Sequence, residues 1–205
     1  MTSHIKSSLL VAVISAFCLI IGCTATTRTV STDEALHYDE AYDFSDKKTI
    51  VKNLVEPLLA TSPLSGTTEP PVIIIYGIAN RTSEHIDTSG ITDDIREALL
   101  KAGKFRFINE TQRGNIATET DYQYNSGAVS PETRIERARQ AGAKYMLTGT
   151  LRSIEKEEPR QVRLKKKSLR YYSLHLELTD IKTSLISWAH SVELAREASR
   201  PIIGW

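Results

Sequence analysis

One residue near the amino end is placed to do chemistry, the thiol of Cys23. It follows Gly22 and a run of apolar and small residues from Leu9 to Ile21. This run is too short to cross a hydrocarbon core, which needs about 20 helical residues. Lys6 precedes the run, and a base followed by such an apolar stretch is the pattern of a cleavable secretory signal. We therefore predict that residues 1–22 are a signal peptide.

The residues at the predicted cleavage site, Leu19-Ile20-Ile21-Gly22-Cys23, resemble the bacterial lipobox. In that signal the cysteine receives a diacylglycerol, and a thiolate is a good nucleophile for that transfer. Several acyl chains would hold Cys23 firmly to a membrane, at ~0.8 kcal/mol per buried CH₂. By resemblance to enteric lipoproteins, Thr24 in place of aspartate implies export to the outer membrane. The alternative is an ordinary signal anchor with a chance cysteine.

The rest of the chain carries no recognised catalytic motif. A Gly-x-Ser-x-Gly elbow, a P-loop and a Gly-x-Gly-x-x-Gly fingerprint are all missing from the sequence. The apolar alternation places His190 on the core face of its strand and His175 on the opposite face, so the two cannot chelate a metal together. We interpret His190 as a core histidine. Neither enzymatic activity nor a metal or cofactor is expected.

Two polar segments are candidates for binding a partner. Asn80-Arg81-Thr82 follows a predicted buried strand, where loops often carry function. Arg81 could bind a partner carboxylate with both arms of its guanidinium group, whereas Asn80 and Thr82 could simply bond the local backbone as a turn. Both interpretations fit the sequence.

The second candidate is a basic segment that includes Arg163, Lys165, Lys166 and Lys167 and that follows three glutamates of residues 155–158. It could be an electrostatic docking site for an acidic protein surface or an anionic glycan. It could equally be a solvated hairpin tip whose charges discourage edge pairing. Replacement of the three lysines by glutamate distinguishes the two interpretations.

Composition narrows the classes of function. Removing residues 1–22 takes away one base, Lys6, and leaves 25 basic and 25 acidic side chains. This balance gives no indication of nucleic-acid binding. Cys23 is the only cysteine left after cleavage, and lipid would occupy its thiol, so a packed core must supply the stability.

Residues 24–45 are polar and acidic without a sustained period, so residues 23–45 are predicted to be a lipidated cysteine followed by a flexible tether. Fully stretched, this tether would reach about 75 Å, and as a relaxed coil about 25 Å. Residues 46–205 are predicted to form a single globular domain.

The predicted elements of that domain alternate between helices and strands. They are a helix capped near Ser45-Asp46 and kinked or diverted at Pro57, a strand over 72–76, a helix over 88–102, a strand over 105–108, a looser helical stretch after residue 109 and a helix over 130–141. Alternating segments around 145–151, 172–178 and 186–194 follow as strands. This order predicts an α/β fold, with a mixed sheet of about five strands flanked by helices and ending in an antiparallel meander.

Several short motifs together resemble one family. They are Tyr42-Asp43-Phe44, Asn80-Arg81-Thr82, Ile95-Arg96-Glu97-Ala98-Leu99, Gly103-Lys104-Phe105, Ala141-Gly142-Ala143-Lys144-Tyr145 and Ile186-Ser187-Trp188. In order and spacing they resemble LpoB, the outer-membrane lipoprotein activators of penicillin-binding proteins. The resemblance implies a fold like the amino-terminal domain of TolB. It also implies a non-enzymatic, monomeric protein that docks on a class A penicillin-binding protein and stimulates glycan polymerisation and cross-linking.

The chain departs from that family pattern in two places. Enteric members carry long proline-rich tethers, whereas no proline lies between Cys23 and Pro57 here. The charged segment of residues 155–168 does not match the family. The strand pattern also resembles curli-secretion-type lipoproteins, which assemble into membrane channels, although the free strands are too few for a barrel. A structural or secretion-accessory lipoprotein is therefore the alternative function.

Overall fold

The computed structural model describes residues 27–61, 69–135, 141–158 and 165–201 of the chain. Cys23, Arg163 and residues 202–205 lie outside these ranges. The folded unit described below begins at Ala35. Among the described residues, no helix combines the length and the apolar character needed to span a membrane.

The folded unit contains three α-helices and five strands within the described ranges. In chain order they are α1 (Phe44–Thr61), β1 (Val72–Arg81), α2 (Ser89–Lys101), β2 (Arg106–Phe107), α3 (Arg113–Asn125), β3 (Tyr145–Glu157), β4 (Lys165–Asp180) and β5 (Ile186–Pro201). Short 3₁₀ turns occupy Glu110–Gln112 and Pro131–Thr133. The predicted α/β order is confirmed.

The five strands form one mixed sheet in the order β2-β1-β3-β4-β5. β1 is parallel to both of its neighbours, with Ile73 opposite Phe107 on one side and Tyr145 on the other. β3, β4 and β5 follow one another as an antiparallel meander, in which Leu178 lies opposite both Leu147 and Trp188. The predicted five-stranded mixed sheet with a final meander is therefore confirmed.

Strand alternation gives the sheet two different faces. The inner face, packed against α1 and α2, carries buried residues at every second position, such as Leu147, Leu151, Leu174, Leu176 and Leu178. The opposite, outer face carries the intervening residues of β3, β4 and β5, most of them polar. This is the pattern expected of an antiparallel sheet covered on one side only.

The two helices that cover the inner face do so with apolar stripes at helical spacing. α1 contributes Ile50, Leu54 and Leu58, and α2 contributes Ile91, Ile95 and Leu99, each at most 2% exposed. Full burial of one such side chain is worth about 1.5–3 kcal/mol, so these stripes determine which helix faces turn toward the sheet.

Two predicted elements differ from the structure. β1 does not end at Tyr76 but continues to Arg81 through a bulge between Ile75 and Ile78, where Gly77 adopts a φ of 87° that suits glycine. The predicted helix from 130 is wrong at its start, because Arg134 is extended after a single 3₁₀ turn. Residues 136–140 of that helix lie outside the described ranges.

Gly149 is the position in the sheet where a side chain would do most harm. A Cβ there would lie 2.7 Å from Leu176 Cδ2 and 3.1 Å from the His175 carbonyl oxygen. We expect Gly149→Ala to lower the free energy of unfolding by about 1–3 kcal/mol, as overpacking does. Gly142→Ala is the control, since nothing lies within 4 Å of its Cβ. Urea unfolding of both variants tests this; equal stabilities would contradict it.

Candidate protein-binding surface

The start of α1 is held by two aspartates that cap each other. The Asp43 carboxylate accepts the backbone N–H groups of Ser45 at 2.8 Å and Asp46 at 3.1 Å. The Asp46 carboxylate in turn accepts the Asp43 N–H at 3.0 Å. This capping box satisfies N–H groups that a helix start leaves without partners. The N-cap is therefore Asp43, and the predicted cap at Ser45-Asp46 is wrong by two residues.

Arg196 of β5 ties this cap to the sheet. One of its terminal nitrogens donates to the Ala41 carbonyl at 2.9 Å and to the Asp43 carboxylate at 3.1 Å, and the other contacts the Asp46 carboxylate. The Arg196 side chain is only 20% exposed and that of Asp46 only 6%. Charges that are so little exposed interact strongly, and each depends on its partner.

A second contact fixes the chain just before the cap. Glu40 is buried and accepts hydrogen bonds from the Ser168 hydroxyl at 3.0 Å and from Arg200 at 2.7 Å. Residues 35–43, named the strap below, thus belong to the folded unit. The structure therefore does not support a tether that extends to residue 45.

The environment shifts the acidity of Glu40, Asp43 and Asp46. A backbone N–H bond, the Ser168 hydroxyl and Arg200 together hold the pKa of Glu40 below its ordinary value despite burial. Burial would raise the pKa of Asp43, but hydrogen bonds from His37 and the Asp46 N–H, with Arg196, bring it below its ordinary value. For Asp46 burial outweighs these interactions and raises the pKa.

The structure shows Asn80 and Arg81 at the end of β1, and Thr82 directly after it. The Asn80 amide donates to the carbonyls of Glu84 (2.9 Å) and Ile86 (3.1 Å), and its oxygen accepts the Thr82 N–H (2.9 Å) and hydroxyl (2.7 Å). Asn80 and Thr82 therefore form a local turn. Arg81 differs, since it is exposed and lies beside the equally exposed Arg152 in the parallel ladder.

The turn after β1 and the charged ends of β3 and β4 meet through Glu84. Its carboxylate contacts Arg170 and accepts the Tyr172 hydroxyl at 2.7 Å. Arg170 also lies 3.3 Å from Glu155, which contacts the Ser83 hydroxyl. The two polar segments that the sequence singled out are therefore joined at one end of the sheet. On the inner face of the sheet, the charge of Arg170 is therefore neutralised by carboxylates of the same chain.

The three lysines of the predicted docking segment are the first residues of β4 rather than a loop. Lys166 donates to Glu157 at 2.9 Å and Lys167 to Glu197 at 2.6 Å. Both pairs are about half exposed, so each is worth at most about 1 kcal/mol. Lys165 is exposed at the start of the strand. Strand alternation puts Lys165 and Lys167 on the outer face and Lys166 on the inner one.

An apolar cluster lies on the outer face at the same end of the sheet. Ile154 is 54% exposed and Leu169 43% exposed. Tyr171 lies directly opposite Ile154 in the ladder and Ala195 lies on its other side. Exposed apolar residues that cluster inside a polar rim are typical of protein interaction sites. We name Ile154, Leu169 and Tyr171 the outer-face cluster.

Charged residues of both signs surround the outer-face cluster. Lys156 and Glu197 lie opposite Leu169 on the two neighbouring strands. A hydrogen bond to Glu193 raises the pKa of the Tyr171 hydroxyl. Such a rim steers and orients a partner, while the apolar centre supplies most of the binding energy.

The sequence contained an indication of this cluster that was overlooked, because the neighbouring residues are mostly charged. The core residues of β3 are odd-numbered and those of β4 even-numbered, whereas Ile154 is even and Leu169 and Tyr171 are odd. Apolar residues out of phase with the core pattern must point away from the core. A strand in which apolar residues move from the core-facing positions to the alternate positions therefore predicts an exposed apolar patch.

The histidines follow the predicted faces. His190 lies on the inner face, half-buried, with its ring 5.9 Å from Trp188. His175 lies on the outer face, bonded to Ser191 at 2.8 Å and Glu177 at 3.0 Å. Within the described ranges, no group of three His, Cys, Asp or Glu side chains is positioned to hold a metal ion.

Comparison with solved structures finds several similar chains. The LpoB C-terminal domain from Salmonella enterica is 21% identical, with 73% of this chain and 98% of that chain covered and a TM-score of 0.45. The same domain from Escherichia coli is 20% identical, with the same coverage and a TM-score of 0.44. An NMR structure of E. coli LpoB is 19% identical over 87% of this chain and 85% of that one, with a TM-score of 0.43. Comparison with curated protein sequences finds no significant match.

The fold and surface define an α/β domain whose sheet is covered by helices on one face and presents a mixed apolar and charged surface on the other. The model of one protein family, described as "Peptidoglycan-synthase activator LpoB", matches residues 46–194. The chain belongs to this family. The family predicted from the short sequence motifs is therefore confirmed.

Proposed function

We propose that this protein is a lipid-anchored outer-membrane activator that docks on a class A penicillin-binding protein and stimulates peptidoglycan synthesis without chemistry of its own. The observation that carries the proposal is the family match over residues 46–194, which includes β1 to β4, the first half of β5, α2 and nearly all of α1. The lipobox at Cys23 supports the anchor. The docking surface would be the outer-face cluster with Arg81 and Arg152 at its border.

Energetics favour the outer face over the inner charged end as the contact. Arg170 and Arg196 already contact carboxylates of the chain itself, so a partner would have to break these pairs to use them. Ile154 and Leu169 are exposed in the isolated protein, so their burial by a partner is a net gain of roughly 25 cal/mol per Å² of apolar surface.

The strap shortens the reach of the anchor. Because the folded unit begins at Ala35, only the chain between Cys23 and Ala35 can act as a tether, and it spans at most about 40 Å when stretched. This is about half the reach predicted from the sequence. The partner must therefore extend to within that distance of the anchoring membrane.

Site-specific cross-linking in cells tests the proposal. A photoreactive phenylalanine analogue at Tyr171 should capture a class A penicillin-binding protein, whereas the same analogue at Leu185 should not. Leu185 is the control because it is 67% exposed in the turn at the opposite end of the meander. Capture of the synthase from neither position, or of copies of this chain from Tyr171, would contradict the proposed contact.

Charge reversal of Lys165, Lys166 and Lys167 to glutamate should change the kinetics of docking more than the stability. We expect the free energy of unfolding to change by less than about 2 kcal/mol, because each of the two exposed ion pairs that are lost contributes at most about 1 kcal/mol. The association rate with the synthase should fall several-fold and lose part of its salt dependence. Surface plasmon resonance at two salt concentrations measures this. An unchanged rate would show that the lysines only solvate the sheet end.

A further inference from the structure

β5 is an edge strand, and its free side carries backbone groups at known positions. The Glu158 N–H donates to the Lys167 carbonyl at 2.9 Å, which shows that odd-numbered residues of β4 bond to β3. Hydrogen bonding alternates along an antiparallel pair, so even-numbered residues of β4 bond to β5. The register pairs even residues with even, as Arg170 with Arg196. Odd-numbered residues of β5 therefore direct their N–H and C=O groups away from the sheet.

Proline at an outward position supports this assignment. Pro201 is odd-numbered, and proline is tolerated in an edge strand where its missing N–H faces outward. Ala195, Glu197 and Ser199 accordingly present outward-facing N–H groups along this edge. Within the described residues, β5 pairs with β4 alone.

A groove of about 620 Å³ runs along this edge over residues 194–198. Strap residues His37, Tyr38 and Asp39 form its other wall, and Ser45 and Thr49 of α1 also line it. The Ser45 hydroxyl is buried without a hydrogen-bond partner among the described residues. Five residues of a strand span about 16 Å, so the groove matches an added strand of four or five residues.

The charges along the edge indicate which strand would fit. Glu193 and Glu197 lie exposed on the outer face, where they contact Tyr171 and Lys167 and remain open to a further base. Arg196 and Arg200 lie on the inner face, where strap and cap carboxylates hold them. A strand added to a sheet shares both faces, so its outer-face residues would lie beside the two glutamates. A second copy of β5 paired antiparallel about Ala195 would place Glu193 of each copy opposite Glu197 of the other. Charge therefore favours a foreign basic strand over a second copy.

We propose that the edge of β5 at residues 194–198, walled by the strap, binds an extended peptide of a partner protein that carries basic side chains on one face. Main-chain hydrogen bonds to Ala195 and Glu197 supply the affinity, and Glu193 and Glu197 select the basic side chains. This groove is separate from the outer-face cluster, and the proposal stands whether or not the partner is the synthase.

Amide hydrogen exchange of the full-length protein in detergent micelles tests the proposal. The probe is the peptide Val-Lys-Val-Thr-Val-Lys-Val, whose lysines share one face at the spacing of the two glutamates. It should slow exchange at Ala195, Glu197 and Ser199 at least tenfold and leave the even-numbered amides of β5 unchanged. The matched control peptide has glutamate in place of both lysines and should give no protection.

Two variants make the test specific to the edge. Ala195→Pro removes an outward N–H without breaking the ladder to β4 and should abolish the protection of Glu197 and Ser199. Ala189→Pro is its control, since residue 189 is also outward but lies outside the groove, and it should leave the protection intact. In a double variant with Glu193→Lys and Glu197→Lys, the acidic peptide should protect the outward amides and the basic peptide should not. This result does not depend on whether the proline variants fold.

Three results would overturn the proposal. They are an absence of protection by the basic peptide, equal protection by the acidic one, and concentration-dependent protection of the same amides without peptide. The last result would assign the groove to a second copy of the chain.

Discussion

Replacing Arg196 with alanine should lower the free energy of unfolding by about 3–5 kcal/mol. The change would leave the Asp43 and Asp46 carboxylates without their guanidinium partner, although Asp46 is only 6% exposed. An unpaired charge in such a place costs far more than the pair itself contributes. Because Arg196 also donates to the Ala41 carbonyl, the strap should detach as well.

Arg200→Ala is the matched control for this prediction. Arg200 also bonds a strap carboxylate, that of Glu40, but its side chain is 61% exposed. When it is removed, Glu40 still accepts the hydrogen bond from the Ser168 hydroxyl. Removing it should cost less than about 1 kcal/mol, as exposed ion pairs usually do. Urea unfolding monitored by tryptophan fluorescence measures both variants. Equal losses for the two arginines would show that the Arg196 cluster contributes no more than a surface ion pair.

The second large effect is expected at the outer-face cluster. Ile154→Glu should weaken binding of the synthase by at least about 2 kcal/mol, or roughly 30-fold, while leaving stability nearly unchanged. Ile154 is 54% exposed, so a carboxylate there is solvated in the free protein. On docking, it would be moved into an apolar contact and would lose that solvation.

Ile181→Glu is the control for the cluster, because Ile181 is 46% exposed but lies in the turn between β4 and β5, at the far end of the meander. Isothermal titration calorimetry with the purified synthase compares the two variants. A loss of affinity at position 181 equal to that at position 154, or no loss at either, would place the docking surface elsewhere.

The sheet could be predicted from the sequence because its strands show the two-residue alternation of apolar and polar side chains. Apolar residues alternate with polar ones through residues 145–151, 172–178 and 186–194. Alternation of this kind determines which face is buried, and consecutive strands of this kind usually pair. The family could be predicted for a related reason, since the order of several short motifs is specific even though each motif is weak.

The strap could not be predicted, because its contacts are far apart in sequence and have no period. Asp43 and Glu40 lie in a polar segment that has the composition of a tether, and their partners Arg196 and Arg200 are about 150–160 residues away. The prediction of the helix cap was wrong for a similar reason. Both Asp43 and Asp46 have side chains suited to capping, and only the structure shows that they cap each other.

The outer-face cluster could have been predicted only in part. Its change of phase is visible in the sequence, but which strands would bring Ile154 beside Tyr171 depends on the register of β3 with β4. Arg81 and Arg152 become neighbours only through the parallel pairing of β1 with β3, across a bulge that has no sequence signature beyond Gly77.

The central claim is that this protein activates a peptidoglycan synthase by binding it, and the rate of glycan polymerisation tests it most directly. The rate of a purified cognate class A penicillin-binding protein would be measured on lipid-linked precursor with and without the full-length protein. We predict that the wild-type protein and the Ile181→Glu variant raise the rate several-fold, whereas the Ile154→Glu variant does not at the same concentration. No change in rate with the wild-type protein, at concentrations where it binds the synthase, would contradict the claim.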